Sequence, residues 1–324
     1  KRITMLQFDE TKLLEDWHSL VGDPVDPDLF RHDISEAKAA RLFRNYVRIV
    51  NIEHSSYCNR KCVYCPVKFM DYKKGENHYL GQQSIYILLR DLKSINYGHT
   101  VSLNLYNEPM ADDTIFGLVK QFRRAVPEAE LMFNSNGDFV TGEKLERLAQ
   151  AGLDRIHITC HPRADETRYS DEPRMKAVQA FYRRIQAVPK EEEVVPDRHI
   201  KTAFQVSGLT VEVWAMNYIE HGQSRAGTLE QLVKPVKRTW PCARPVREFT
   251  VFHNGQCYPC CQIFAPLDKE NRFSAGNLET EGSMFRLYAS PLLAAFRKDL
   301  FDYGPKKPPC DACTEPFLHK HLKE

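Results

Sequence analysis

Hydrophobic and polar positions follow two different periods along the central part of the chain. Short apolar runs predict β-strands at residues 47–53, 101–106, 131–135, 155–160 and 200–206. Apolar residues recur every three or four positions between and after these runs, which predicts helices at 82–92, 113–124, 142–151, 175–188 and 211–220. Strands that alternate with helices in this way predict an α/β fold built on a parallel sheet or a partial barrel.

The two ends of the chain follow other patterns. Residues 1–46 are polar and mixed in charge, with a helical stretch at 35–46, and we expect a surface extension. After about residue 221, prolines interrupt the chain, 246–253 alternates like a strand, and Asn254-Gly255 predicts a two-residue hairpin turn. A helix is predicted near 290–299. We therefore divide the chain into an extension (1–46), a barrel (47–225) and a C-terminal domain (226–324).

Composition excludes several classes of protein. The 324 residues include 45 Lys and Arg against 43 Asp and Glu, a net charge of +2, so no basic surface for nucleic acid is indicated. A hydrophobic fraction of 42% excludes wholesale disorder. The sequence contains no apolar run long enough to span a bilayer, and its first residues lack the apolar segment of a signal peptide. We expect a cytoplasmic protein without nucleic-acid or membrane partners.

Ten cysteines are the most informative feature of the composition. Without an export signal, a reduced and metal-binding use is favoured over disulfides. Cys58, Cys62 and Cys65 form a C-x3-C-x2-C motif directly after the first predicted strand. Such a loop can supply three thiolates to a cubane iron–sulfur cluster and leave one iron without a protein ligand. On spacing alone, a zinc knuckle is the alternative.

This motif resembles the cysteine signature of the radical S-adenosylmethionine (radical SAM) superfamily. The resemblance implies a partial (β/α)6 barrel and a [4Fe–4S] cluster whose open iron binds the amino and carboxylate groups of SAM. It also implies that Tyr64 lies beside the adenine. The chemistry implied is reductive cleavage of SAM to a 5′-deoxyadenosyl radical, which abstracts hydrogen from a substrate. A flavodoxin- or ferredoxin-like one-electron reductant is therefore an expected partner.

The ends of later strands extend the resemblance. Asn107, Glu108 and Pro109 follow the second strand, where the superfamily carries Gly-Glu-Pro or a variant. Glu108 can accept hydrogen bonds from the SAM ammonium, and the turn at Asn107 exposes backbone groups. After the third strand, Ser135 and Asn136 offer polar contacts to ribose or carboxylate. Taken singly, Glu108 could equally be a solvated loop acid, and Asn136 part of an ordinary turn.

A second group of cysteines lies in the C-terminal domain. Cys242, Cys260, Cys310 and Cys313 offer four thiolates, enough to bind a second [4Fe–4S] cluster completely, with structural zinc as the alternative. The arrangement resembles the SPASM domain, or its shortened twitch form with one auxiliary cluster. The fold class expected is thus a partial barrel followed by an iron–sulfur domain. Its cofactors would be two [4Fe–4S] clusters and SAM.

Four further residues are candidates for direct catalytic roles. Cys160, Cys257 and Cys261 have no assigned metal, and each could pack as a small apolar side chain or donate hydrogen to a substrate radical. Arg225 lies between the barrel and the cluster domain. Its guanidinium could make bidentate contacts to substrate, as the resemblance to twitch enzymes implies, or could be a solvated loop arginine.

The resemblance extends to twitch enzymes of aminoglycoside biosynthesis and implies a small, polar substrate of aminocyclitol or sugar type. Dehydrogenation follows if the auxiliary cluster takes an electron from the substrate radical. Epimerisation follows if a thiol returns hydrogen to it. The alternatives are radical modification of a ribosomal peptide and, outside enzymes, a zinc-stabilised binding module.

Overall fold

The computed structural model describes residue 17 and residues 25–73, 75, 77–161, 170–218, 222–229, 236–268 and 270–316. The strands are β1 (Ile49–Ile52), β2 (Thr100–Ser102), β3 (Leu131–Ser135), β4 (Arg155–Thr159), β5 (Glu191–Val195), β6 (His199–Val206), β7 (Leu209–Met216), β8 (Glu248–Val251), β9 (Gln256–Tyr258) and β10 (Gly276–Asn277). The helices are α1 (Glu36–Tyr46), α2 (Gln82–Ser94), α3 (Thr114–Ala125), α4 (Gly142–Ala151), α5 (Asp171–Ile185), α6 (Arg244–Arg247), α7 (Leu278–Glu281), α8 (Met284–Tyr288) and α9 (Pro291–Phe301).

All ten strands belong to one sheet with the order β10-β9-β8-β1-β2-β3-β4-β7-β6-β5. The six strands from β8 to β7 are parallel to their neighbours, and the strands outside them are antiparallel. Alternate residues of five parallel strands line one cavity of about 480 Å³; they are Asn51, Ser102, Asn134, His157 and Trp214. The sheet therefore curves around a lumen, and the expected α/β fold with a partial barrel is confirmed.

One predicted element is wrong. Residues 211–220 were expected to be helical, but 209–216 form strand β7, which pairs with β6 in an antiparallel hairpin. Ser207 and Gly208 form its two-residue turn, both with positive φ (49° and 93°). The alternation of buried Val211 and Val213 with half-buried neighbours is the signal that the helical interpretation missed. As a consequence, 200–206 is an antiparallel strand, and β7 and β8 complete the parallel set.

Other local predictions agree closely with the structure. Helix α4 begins after Thr141, whose side chain accepts a hydrogen bond from the amide of Lys144, and ends at Gly152 with φ 92°. Asn254-Gly255 joins β8 to β9 as predicted, with Gly255 at φ 78°. Helix α5, with 15 residues, is the longest of the described helices. No helix in the described segments is long and apolar enough to cross a bilayer.

The expected surface extension is instead part of the core where the structure describes it. Helix α1 is capped by Ser35 and buries Phe43 completely. The Phe43 ring lies edge-on or tilted against Tyr97, Phe249 and Tyr288, with centroids 5.2–6.1 Å apart. These partners come from the barrel and from the C-terminal domain. Helix α1 therefore joins the two parts of the molecule through aromatic packing.

Replacing Phe43 with Ala should lower the free energy of unfolding by about 3–5 kcal/mol, because it removes a fully buried ring at the centre of this packing. Arg41→Ala on the exposed face of the same helix is the matched control and should stay within about 0.5 kcal/mol. Urea denaturation followed by circular dichroism measures both. Equal stability of the two variants would show that α1 is a surface appendage after all.

Candidate active site

A cavity of about 370 Å³ opens at the carboxyl ends of the parallel strands, where α/β folds place their ligand sites. We call it the upper cavity. It brings together residues that the sequence placed on four separate segments; they are Cys58, Cys62, Tyr64, Cys65, Asn107, Glu108, Ser135, Asn136 and Arg225. The three thiols and the expected SAM contacts thus share one enclosed space.

The cysteine loop is clamped to the end of β3. Arg60 donates two hydrogen bonds to Asp138, at 2.7 Å from Nε and 2.6 Å from Nη2, and forms a bidentate ion pair. Asn59 donates to the same carboxylate at 2.7 Å and accepts from Asn136 Nδ2 at 2.7 Å. Gly137 permits the turn, since it has φ 76° and a Cβ there would lie 2.8 Å from an isoleucine methyl. The pairing of Arg60 with Asp138 was not predicted from the sequence, although the two motifs carry opposite charges.

Glu108 is buried and fully hydrogen-bonded. Its carboxylate accepts hydrogen bonds from Ser135 Oγ (2.7 Å), the Asn136 amide (2.7 Å) and the Met110 amide (3.0 Å). Burial raises the pKa of Glu108 to about 7, with a smaller contribution in the same direction from the charge of Asp138. A cationic ligand beside this carboxyl would favour its ionised form. The group is therefore held in one orientation and suits an ammonium.

The side chains of Asn107 and Asn136, which line the upper cavity, also form hydrogen bonds within the protein. Asn107 Nδ2 donates to Ser55 Oγ at 3.2 Å and lies 3.1 Å from His54 Nδ1, while its Oδ1 accepts from the Leu105 amide at 3.1 Å. Asn136 Nδ2 donates to Asn59 Oδ1 in the cysteine loop at 2.7 Å. An asparagine can therefore stand at position 107, because both polar atoms of its side chain are hydrogen-bonded within the protein.

Tyr64 is part of an aromatic cluster on the cavity wall. Its hydroxyl lies 2.6 Å from His161 Nδ1, and its ring stacks on Tyr218 with centroids 4.9 Å apart. Burial lowers the pKa of His161 to about 3, so the imidazole is neutral. This flat, uncharged surface is suited to a nucleobase. Tyr218 was not predicted from the sequence as a site residue.

The second set of thiols surrounds a separate enclosed cavity, which we call the auxiliary cavity. Its four cysteines are each less than 10% exposed; they are Cys242, Cys260, Cys310 and Cys313. Four thiolates around one cavity are the ligand number of a cubane cluster and also of a structural zinc ion.

Arg225 lies where the two cavities approach each other. It lines the upper cavity, and its neighbour Ala226 lines the auxiliary cavity. Arg225, Ala226 and Gly227 all have positive φ (50°, 51° and 84°), a strained run that turns the chain sharply. The guanidinium lies 3.5 Å from Gln262 Oε1 and 5.8 Å from the ring of Tyr106. The structure thus places this arginine beside both sites and not in bulk solvent.

The three spare thiols have different surroundings. Cys257 on β9 is completely buried in the hydrophobic core, and Cys160 continues the core-facing series of Ile156 and Ile158. Neither residue is among the described residues that line the upper cavity, and a catalytic role for either stays a prediction. Cys261 is different, because it lines the barrel lumen, with its sulfur 3.3 Å from Arg244 Nη1.

Comparison with known families agrees with both cysteine sites. Residues 52–192 match the Radical SAM superfamily, and residues 242–314 match the SPASM iron-sulfur cluster-binding domain. The first segment contains the C-x3-C-x2-C loop, and the second contains all four thiols of the auxiliary cavity. The chain therefore carries a radical SAM domain and a C-terminal SPASM domain, and its cofactors are SAM and iron–sulfur clusters.

The individual relatives share little sequence identity with this chain. The chain is 22% identical over 271 residues to the S-adenosyl-L-methionine-dependent 2-deoxy-scyllo-inosamine dehydrogenase of Niallia circulans, covering 82% of this chain and 92% of that protein. The crystal structure of BtrN in complex with AdoMet and 2-DOIA is similar with a TM-score of 0.60 at 20% identity, over 83% of this chain and 93% of BtrN. The crystal structure of BtrN in an open conformation is similar with a TM-score of 0.55 at 19% identity, over 83% of this chain and 92% of BtrN. These structures show a shared fold.

Iron content tests the assignment of the ligands. Anaerobically reconstituted protein should hold about eight irons per chain, as two cubanes require. Replacing Cys242, Cys260, Cys310 or Cys313 with Ala should reduce this to about four, because one cluster loses a ligand. Cys257→Ala, which alters a buried thiol of the same domain, is the control and should keep the full content. Stoichiometric zinc without inorganic sulfide would contradict the assignment.

The affinity for SAM should depend on pH through Glu108. Below about pH 7 the carboxyl is protonated and is a weaker acceptor for hydrogen bonds from the SAM amino group, so SAM affinity should rise as pH increases from 6 to 8 and then level off. Glu108→Gln should weaken binding about 10- to 100-fold and remove this pH dependence, because a charge-assisted hydrogen bond is lost. Titration calorimetry of the cluster-loaded protein measures both. Glu128→Gln, at an exposed carboxylate, is the control; pH-independent binding by the unmodified protein would refute the assignment.

Proposed function

We propose that this protein is a radical SAM dehydrogenase that oxidises a ring hydroxyl of a small aminocyclitol- or sugar-like substrate to a ketone. The observation that carries the proposal is the position of Arg225, whose turn separates the upper cavity from the auxiliary cavity. A substrate bound to this guanidinium would lie between a site for SAM and a site for an electron acceptor. The activity of the dehydrogenase from Niallia circulans supports the same class of reaction.

Different residues of the upper cavity would bind different parts of SAM. When bound, the cluster and SAM supply a 5′-deoxyadenosyl radical that removes a hydrogen atom from carbon. Glu108 would accept the SAM ammonium, and Tyr64 with Tyr218 would pack against the adenine. The ion pair between Arg60 and Asp138 would keep the cysteine loop in place through the reaction. An external one-electron reductant of the flavodoxin or ferredoxin type is part of the proposal, as is a reducing compartment such as the cytoplasm.

A buried polar network supports the proposed substrate site. Gln262 donates to Gln223 at 2.7 Å and to Glu315 at 3.0 Å, while Glu315 accepts from Arg244 at 2.6 Å. Each buried charge is thus paired, as burial requires. The network holds the amides of Gln223 and Gln262 near Arg225, where polar groups can orient several hydroxyls of one ring. This chemistry supports a small polyhydroxylated substrate.

Epimerisation is the second candidate function, and the position of Cys261 favours it. Of the three spare thiols, this one lines the barrel lumen, whereas Cys160 and Cys257 are packed in the core. A thiol in the lumen could return a hydrogen atom to a carbon radical from the face opposite SAM. The reaction would then invert a carbon centre without net oxidation.

Radical modification of a ribosomal peptide stays a prediction. The zinc-binding module is disfavoured, because residues 242–314 match an iron-sulfur cluster-binding domain.

The proposal is tested with reconstituted protein, SAM and a chemical reductant under anaerobic conditions. Aminocyclitols and amino sugars deuterated at a ring carbinol carbon should stimulate 5′-deoxyadenosine formation, transfer deuterium to it, and yield about one ketone per 5′-deoxyadenosine. Cys261→Ala should leave ketone formation unchanged, with Cys257→Ala as the control. An epimer that disappears in Cys261→Ala would establish the second candidate instead. No stimulation by any of these compounds would refute both.

A further inference from the structure

The lumen of the barrel continues below the upper cavity as a second polar space, which we call the lower chamber. It has a volume of about 480 Å³ and contains side chains from β1, β2, β3, β4 and β7. Asn134 and His157 line both spaces, so they form the floor of one and the roof of the other. At the amino ends of the strands, Arg48 and His99 line both the chamber and an adjacent surface recess. Barrel interiors are more commonly filled by branched apolar side chains.

Oxidation of an alcohol to a ketone releases a proton, and the upper cavity offers few groups that can take it. Arg60 and Arg225 carry guanidinium groups, which do not accept protons at neutral pH. Burial lowers the pKa of His161 to about 3, so this imidazole stays neutral. Glu108 accepts three hydrogen bonds from the protein and is assigned to the amino group of SAM, so it is not available to the substrate. Among the described lining residues, His157 has the side chain whose ordinary pKa suits proton exchange near neutrality.

The neighbours of His157 suit an imidazole that gains a proton. In the parallel sheet, His157 pairs in register with Asn134 of β3 and with Glu212 of β7. Side chains at paired positions project to the same face, so the Glu212 carboxylate is a neighbour of the imidazole. A nearby negative charge favours the protonated form of histidine. The ring also lies 4.7 Å from that of Trp214, which restricts its orientation.

Other charged groups around the pair are already partnered. Arg155, two residues before His157 on the same strand, forms an ion pair with Glu130 and lies 3.9 Å from Glu212. Across the lumen, Arg244 is paired with Glu248 at 2.6 Å. Lys201 of β6 lies over the Trp214 ring at 4.7 Å. Glu212 thus lies between a strong cation and His157.

We infer that His157 is the proton acceptor of the oxidation and that Glu212 and the lower chamber carry the proton to solvent. The inference rests on the proposed dehydrogenation. The carbinol carbon first loses a hydrogen atom to the 5′-deoxyadenosyl radical. The resulting carbon radical then loses its hydroxyl proton to His157 and one electron to an oxidised iron–sulfur cluster, which gives the ketone. One hydrogen atom, one proton and one electron leave the substrate, so the two-electron oxidation is balanced.

Three variants test the role of His157. His157→Gln should lower ketone formation at least tenfold while 5′-deoxyadenosine still forms, so that the ratio of 5′-deoxyadenosine to ketone rises well above one. With SAM at a saturating concentration at every pH, the wild-type rate should fall at acid pH as the imidazole becomes protonated, and His157→Gln should lose this limb. Glu212→Gln should shift the limb to lower pH, because the neighbouring charge is removed. His199→Gln, at a histidine of β6 that pairs with Glu193, is the matched control.

A measurement independent of turnover accompanies the kinetics. Labelled histidines of the protein can be titrated by NMR, with the His157 signal assigned by its loss in His157→Gln. Its pKa should fall in Glu212→Gln and stay unchanged in His199→Gln. Unchanged ketone yield and pH profile in His157→Gln would overturn the inference and leave the dehydrogenation intact. An epimer from the wild-type protein would overturn the dehydrogenation and the proton relay together.

Discussion

The ion pair between Arg60 and Asp138 fixes the cysteine loop against the end of β3, and the geometry of the upper cavity depends on it. A loop that binds a cluster through three thiolates must keep its open iron at one place relative to SAM. Here the charges are bidentate and partly shielded, so the pair is more specific than an exposed salt bridge. The same turn presents the amide of Asn136 to Glu108. One network therefore sets the positions of the thiols and of the carboxylate together.

Buried charges in the C-terminal part of the molecule are also held in place by ion pairs. Arg244 is paired with Glu248 and with Glu315, and it also contacts the sulfur of Cys261. Buried ions persist in proteins when each has partners, because unpaired charge in the interior is costly. The network lies between the barrel lumen and the auxiliary cavity. It makes the SPASM domain and the barrel one packed unit, with aromatic contacts of α1 adding to the junction.

Local sequence signals predicted the elements with strong caps, turns and regular periods. Thr141 and Gly152 mark the ends of α4, and Asn254-Gly255 marks the β8–β9 hairpin, since each acts through a few neighbouring residues. The segment around Val211 was misassigned because an alternating strand of half-buried residues can be mistaken for a short amphipathic helix. Cys160 and Cys257 were considered for catalysis because sequence does not reveal which face of a strand borders a cavity.

The sequence alone indicated the class of chemistry, because thiol spacing is a local property and the motif at Cys58, Cys62 and Cys65 resembles that of a known superfamily. It also determined that four more thiols were present for a second site. Tertiary structure decided which side chains meet. The partnership of Arg60 with Asp138, the position of Arg225 between two cavities and the placement of His157 opposite Glu212 all join residues far apart in the chain. Such contacts depend on sheet order and strand register, which pairwise local preferences do not specify.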